Sequence, residues 1–256
     1  MKSYNLQLPI VAKPELGGRG KGVKIIKTRQ ELQSYFLKMN HPVILQQYIE
    51  GSEFGVFYYR IPGEEKGRIF SITRKTKPSL TGNGEDSLGT LILSDEHIIG
   101  MASYHMKKNL ERLAWIPAYK ENVKLVELGS HCRGSIFFHD RDMYTPELEE
   151  RMDQLSKRIP GFYFGRYDII TPSIVDFKAG HNFSILELNG VTAEAVHIYD
   201  PENSLFYAYK ILFQQWQLAF YIGYLNAKKS YPQKTIRQTL NILRAMYKES
   251  GKIVEV

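Results

Sequence analysis

Four polar side chains between residues 160 and 190 have the types and spacing for a metal–phosphate site. In GRYDII (165–170) Arg166 and Asp168 stand two apart, as do Glu187 and Asn189 in ILELNG (185–190). Residues two apart on a strand share a face. If the two strands pair, Asp168, Glu187 and Asn189 converge as oxygen donors, the type magnesium takes in nucleotide sites. Arg166 beside them is a planar fork for phosphate or carboxylate. An ordinary hairpin with a solvated polar face, its acids paired to nearby lysines, fits the same pattern. These residues alone leave both readings open.

A second stretch, LPIVAKPELGGRGKGVKIIK (8–27), points to an anion. The apolar run Ile10-Val11-Ala12 carries Lys13, a loop with glycines at 17, 18, 20 and 22 follows, and Val23 to Ile26 is again β-like. Glycines let a loop bend sharply and aim its N–H groups together at a phosphate, and Lys13 adds a point charge. A Walker loop would need Ser or Thr after its lysine, but Lys21 is followed by Gly22 and Val23. Walker and dinucleotide loops also open a helix, whereas this loop enters VKIIK. A kinase loop places its lysine on the following strand and comes with catalytic-loop and D-F-G signatures, which are missing; His139-Asp140-Arg141-Asp142 is a decoy. A plain hairpin loop with solvated charges remains the alternative.

The elements that must position these residues read as α+β. Strand, loop and strand are followed by a helix from Thr28 to about Met39, with Glu31 completing a capping box, and by a buried strand Val43 to Ile49. Extended segments at 53–60, 67–75 and 123–128 flank a Gly/Asn/Asp loop (81–85), a short helix from Ser87 to Leu93 and a charged surface helix at 101–112. Thr145 caps a helix to Ile159 with Pro146 in its first turn. Strands 162–170 and 183–188 carry the candidate metal ligands, joined by a polar connection with Gly180. Helices at 205–225 and 234–249 end the chain. The expected division is a small lobe at 1–49, a large lobe at 50–201 and C-terminal helices at 202–256 packed on the large lobe.

Composition narrows the class. The chain has 256 residues, enough for a substantial core, and a net charge of +7 with no run of five basic residues. That charge suits small anionic ligands; without a basic cluster or RNA-motif aromatics, no nucleic-acid partner is expected. The one cysteine, Cys132, excludes an internal disulfide and a multi-cysteine zinc site. The N-terminus lacks an apolar leader core, so a cytoplasmic protein is expected. Segment 205–225 has the length of a membrane span, but Lys210, Gln214, Gln215 and Gln217 near its middle would be costly in hydrocarbon. A buried helix is the preferred reading, with peripheral docking of the helix on a membrane or partner as the minor one.

Four motifs in order, over about residues 8 to 201, resemble the ATP-grasp superfamily of carboxylate–amine ligases, of which D-alanine–D-alanine ligase and glutathione synthetase are members. PIVAKPELGGRGKGV is similar to the lysine strand and glycine loop, VILQQYIEGSEF to the hinge strand, ITRKTKP with TGNGEDSLGTLI to the segment that follows, and GRYDII with ILELNG to the magnesium hairpin. The resemblance implies an ATP-grasp fold of two lobes gripping a nucleotide, and an acyl-phosphate ligase using ATP and Mg2+, or Mn2+ in its place. It gives Lys13 the α- and β-phosphates, and the backbone of Gly17, Gly18, Arg19, Gly20, Lys21 and Gly22 the β- and γ-phosphates. It gives Gln46 and Gln47 the adenine amino group, Tyr48 and Ile49 the ring edge, and Glu53 the ribose. Lys75, with Arg74 as the less favoured choice, meets the γ-phosphate. Asp168, Glu187 and Asn189 hold the metal, and Arg166 stabilises the transferred phosphoryl group and acyl intermediate. Substrate candidates are Glu194, His197 and Tyr199, with Asp200 beside them, and Arg133, for which a plain polar turn is the competing reading.

Two departures from the family pattern set further expectations. Gln46-Gln47 stands where many members have an acid followed by a lysine or a hydrophobe, leaving adenine and guanine both open. Members usually carry an N-terminal substrate domain, and only a few residues precede the Lys13 strand. The expected partners are therefore a small carboxylate and an amine or thiol, with either a second copy of the chain or a protein supplying the N-terminal part. The alternative function is an ATP-binding module without turnover of its own.

Overall fold

The computed structural model describes residues 5–16, 20–126, 134–229 and 234–250. Its strands are β1 (Ile10–Pro14), β2 (Lys24–Ile26), β3 (Val43–Gln47), β4 (Ser52–Tyr59), β5 (Arg68–Thr76), β6 (Ser79–Thr81), β7 (Asn122–Lys124), β8 (Ile136–His139), β9 (Phe164–Thr171) and β10 (Ser184–Asn189). Its helices are α1 (Arg29–Lys38), α2 (Leu88–Ser94), α3 (Ala102–Lys108), α4 (Pro146–Lys157), α5 (Ile174–Lys178), α6 (Leu205–Lys228) and α7 (Ile236–Ser250). The described strand pairs are all antiparallel. The α+β class expected from the sequence is the one observed.

Two compact units divide the chain: Met1–Ile49 with Lys77–Gly134 and Gln233–Val256, and Glu50–Thr76 with Ser135–Pro232. Segment 77–134 builds a core of its own from Leu80, Leu88, Ile92, Ile98, Val123 and Leu125. The C-terminal helices separate. α6 belongs to the second unit, where Ile222 joins Phe57 and Phe164 in a core, and α7 belongs to the first.

In the first unit β2-β1-β3 form a three-stranded sheet. Alternation puts Ile10, Ala12, Leu45 and Ile26 on one face, where Tyr35 of α1 closes a core, and Val11 and Lys13 on the other. The Thr28 side chain accepts from the Glu31 N–H (3.2 Å) and Glu31 accepts from the Thr28 N–H, so the capping box read from the sequence starts α1.

The second unit is built on a five-stranded sheet in the order β10-β9-β4-β5-β8. One face carries Phe54, Val56, Ile72, Tyr167 and Ile169 against α4 and α5, through Leu148, Met152 and Phe177. Asp153 on α4 ties this layer together, accepting from the Tyr58 hydroxyl (2.8 Å) and the Gly67 N–H (2.9 Å). Two short elements go beyond the sequence reading: α5 falls in the connection read as polar, and β6 includes the first residue of the segment read as loop.

Candidate functional site

Strand alternation sorts the candidate residues of the second unit onto one face. Glu187 lies directly opposite Asp168, and Asn189 opposite Arg166, so β9 and β10 do pair and the four side chains share a face. The register of β9 on β4 puts Asp168 beside Gly55 and Arg166 beside Phe57. β4 in turn pairs Glu53 with Lys75, and Thr73 pairs with His139 of β8. Lys75, Glu53, Asp168, Arg166, Glu187 and Asn189 therefore point to the side of the sheet away from the α4–α5 core.

Arg74 lies on the other side. One residue along a strand reverses the face, so its guanidinium sits over the Phe54 ring (5.9 Å) and pairs with Asp140 (2.5 Å). This corrects the inclusion of Arg74 among the site residues and leaves Lys75 as the cation of β5 on the site face.

The charges of that face are already arranged. Arg166 donates from Nε to Asp168 Oδ1 (2.7 Å), from Nη2 to Asp168 Oδ2 (3.3 Å) and from Nη1 to the Glu194 carbonyl (2.8 Å). Asn189 Nδ2 donates to Asp168 Oδ2 (3.2 Å), and Lys75 pairs with Glu53 at 3.0 Å. Gly55 makes room for the arginine, since a Cβ there would stand 3.1 Å from Arg166 Cδ and 3.7 Å from Nε. Among the described residues no group of three or more His, Cys, Asp or Glu side chains could hold a metal ion; Asp168 and Glu187 are two acids, and the third oxygen donor is the Asn189 amide.

The segment after β10 borders this face. Gln215 on α6, only 1 % exposed, accepts from the Ala195 N–H and donates to the Ala193 carbonyl, both at 2.8 Å. Its amide, one of the polar groups that argue against a membrane span, thus fixes the loop whose Glu194 carbonyl receives Arg166. No described helix is long and apolar enough to cross a membrane. The Tyr199 hydroxyl donates to Glu194 Oε2 (2.5 Å), and burial, with the Glu194 charge adding, pushes this phenol up to about 12.

His197 is placed differently from the other substrate candidates. It is 1 % exposed, its ring 4.3 Å from that of His139, with Tyr207 of α6 also near. Burial, reinforced by His139 and Arg141, lowers its imidazole to about 4. His139 is lowered too, by burial first. Asp200 accepts from the His139 backbone N–H (2.6 Å) and from the Glu202 N–H (2.9 Å), while Ser204 caps α6. His197 and Asp200 therefore brace β8 against the turn at 196–199, and this corrects the place of His197 among substrate-facing residues.

In the first unit, Lys13 lies on the face of β1 opposite the Tyr35 core, together with Val11, Ile25 and Gln46. The Tyr35 hydroxyl donates to the Gly22 carbonyl (2.7 Å), fixing the end of the glycine segment. Gly20 and Gly22 have φ of 73° and 71°, the left-handed region that glycine enters without strain. Gln47 is a further correction. Its side chain lies on the α1 face, accepts from the Gln7 N–H (3.0 Å) and donates to the carbonyls of Gln7 (2.9 Å) and Pro9 (3.1 Å), so of the two glutamines Gln46 alone shares the Lys13 face. Tyr48 and Ile49 follow β3 outside regular structure, and Lys21 is exposed. Gly17, Gly18, Arg19 and Arg133 lie outside the described residues.

A cleft of about 1040 Å³ on this unit is lined by Ile25 and by Lys107, Lys108, Arg112 and Lys124. Because Ile25 pairs with Val11, the cleft adjoins the face that carries Lys13. The sequence signal for it was the charged segment 101–112, whose basic side chains read as solvated surface. His139, Gln215 and Gly55 also escaped sequence reasoning.

No protein-family profile matches the chain, and no curated protein is similar to it. Solved structures similar to it include a bifunctional glutathione synthetase from Pasteurella multocida, at 15 % identity and a TM-score of 0.47, covering 82 % of this chain and 30 % of that one. A D-alanine–D-alanine ligase from Bacillus anthracis complexed with ATP matches at 16 % and 0.41, covering 86 % and 57 %. The VanG D-Ala:D-Ser ligase from Enterococcus faecalis matches at 15 % and 0.40, covering 84 % and 51 %. The chain thus spans from about a third to just over half the length of the structures it matches.

Proposed function

We propose that this protein is a cytoplasmic ATP-grasp ligase that joins a carboxylate to an amine or thiol through an acyl phosphate, converting ATP to ADP and phosphate. The observation that carries this reading is the one sheet face on which Lys75, Glu53, Arg166, Asp168, Glu187 and Asn189 stand together. Such a set offers cations and hard oxygen donors but no covalent nucleophile, which suits phosphoryl transfer by positioning and electrostatics.

Asp168, Glu187 and Asn189 on neighbouring strands supply two carboxylates and an amide oxygen, a donor set that fits magnesium. Bound there, magnesium, or manganese in its place, supplies charge neutralisation for phosphate oxygens. Lys75 binds the γ-phosphate, and Glu53 accepts from the ribose hydroxyls. A carboxylate oxygen of the substrate attacks the γ-phosphorus as the bond to the β–γ bridging oxygen breaks, and that oxygen leaves with ADP. Arg166, fixed by Asp168 and the Glu194 carbonyl, holds the negative charge that develops on the phosphoryl oxygens. The amine then attacks the acyl carbon, the C–O bond to phosphate breaks, and the amine proton leaves to solvent. Glu194, whose carbonyl receives Arg166, and Tyr199, which donates to the Glu194 carboxylate, face the acceptor.

The test is ADP release with ATP, magnesium and a panel of amino acids and dipeptides. Carboxylate-dependent turnover that Glu187→Gln abolishes, with the circular-dichroism spectrum unchanged, is expected. Turnover indifferent to that substitution removes the metal assignment. Calorimetric binding of Mg-ATP with no ADP formed from any acceptor identifies a nucleotide-binding module instead.

A further inference from the structure

The outer side of α6 is the largest exposed apolar surface that the described residues present on one element. Phe206 is 88 % exposed, Phe213 75 % and Phe220 73 %, and Tyr209, Trp216 and Tyr224 are each about half exposed or a little less (55 %, 41 % and 55 %). Spacings of three and four residues stack these rings along one helix face, while Ile222 and Gln215 turn inward. With Leu205 and Tyr221 included, and about 200 Å² for a typical large side chain, the exposed apolar area is about 1,000 Å². Isolated soluble monomers rarely expose more than ~600 Å² in one patch, and a stable interface buries ~800 Å² per partner.

We infer that this face is the interface of a homodimer, with α6 packed antiparallel on α6 of a second copy across a two-fold axis at Phe213. Two features favour a second copy as the occupant. The first is the area, which matches one side of a standard interface and is rich in the aromatic residues that anchor such contacts. The second is self-complementarity. In an antiparallel helix pair centred on Phe213, residues equally far before and after it meet, as a two-fold contact requires. Phe206 then meets Phe220 of the partner subunit, so that apolar faces apolar on either side of the axis. Phe213 stacks on its own copy. Lys210 is the one cation in the middle of this face, and α6 contains no Asp or Glu. With no acid on the helix, no carboxylate is buried when the two copies meet.

The experiment is sedimentation equilibrium of the full chain from 1 to 100 μM, with binding to phosphatidylcholine–phosphatidylserine vesicles measured on the same samples. Twice the 29.6 kDa chain mass is expected. Phe213→Glu sets two carboxylates face to face on the axis and should weaken association at least 100-fold without altering the far-ultraviolet spectrum. Should that variant fail to fold, Phe213→Cys in a Cys132→Ser background gives a second readout: a residue on the axis forms a disulfide with its own copy under mild oxidation, whereas Leu93→Cys, on α2 and half exposed, does not. A wild-type chain that stays monomeric to 100 μM, a monomer that binds the vesicles, or a dimer untouched by Phe213→Glu overturns the proposal.

Discussion

Lowering the pH from 7 to 5 should cost the second unit about 2 kcal/mol through His197 alone. Its imidazole is 1 % exposed, tilted against the His139 ring and close to Arg141, and its folded-state pKa is lowered to about 4 from an ordinary 6.5. The unfolded chain therefore takes up this proton first. The stability contributed by the neutral ring is fully present above pH 6.5 and is lost as the pH falls through 4. The gap between 6.5 and about 4 is worth ~3 kcal/mol in full, at ~1.4 kcal/mol for each tenfold change in proton affinity, and about two-thirds of it is gone at pH 5. Burial keeps solvent from screening the effect, and lowered His139 acts in the same direction. The assay is urea unfolding followed by circular dichroism at pH 7, 6 and 5, with the wild type compared with His197→Gln. Carboxylates titrate in both proteins and cancel in the difference. Free energies of the two that run parallel between pH 7 and 5 would refute burial as the cause of the shift and place water or a proton donor at the ring.

Two other substitutions test the placement of single side chains. Lys75→Ala should lower carboxylate-dependent ADP release by about 100-fold, whereas Arg74→Ala, on the opposite face, should leave the rate within about threefold and cost ~1 kcal/mol of stability. Equal loss of activity would show that alternation does not separate the two. Gln215→Leu strands the Ala195 N–H and the Ala193 carbonyl and should destabilise the chain by ~2–4 kcal/mol in urea titration, against less than ~0.5 for the exposed Gln214→Leu.

Much of this organisation was legible because it depends on local rules. The Thr28/Glu31 box, the Thr145 cap and the pairs two apart in GRYDII and ILELNG are short-range signals, and each came out as read. The decision between Lys75 and Arg74 was equally local in principle, yet it needed the register of β5 on β4, which a single strand does not contain. Long-range contacts explain the remaining misses. Gln47 looks like a ligand-facing amide until Gln7 and Pro9 claim it, and Gln215 looks like a flaw in an apolar helix until Ala193 and Ala195 do. His139 and His197 are 58 positions apart, so nothing in either neighbourhood announces that their rings meet. Segment 77–134 lacks a strong period, and its core became visible only when β6 and β7 paired.

The charges on the sheet face explain how such a site can be both ordered and ready to exchange partners. Lys75 and Arg166 bring two positive charges; Glu53, Asp168 and Glu187 bring three negative ones, so the face is net negative by one. Left to itself it would repel a triphosphate. On the proposed function a divalent cation at Asp168 and Glu187 reverses that sign, and nucleotide affinity should follow metal concentration. Lys75 and Glu53 are largely buried, with 25 % and 14 % of their side chains exposed, so each charge must exchange its present partner for a new one and not simply let it go. Arg166 is held by three donated bonds and a glycine that leaves it room, so its fork is fixed before any phosphoryl group arrives. Preorganisation of this kind is where electrostatic catalysis gains most, because the donor need not be reoriented as charge develops.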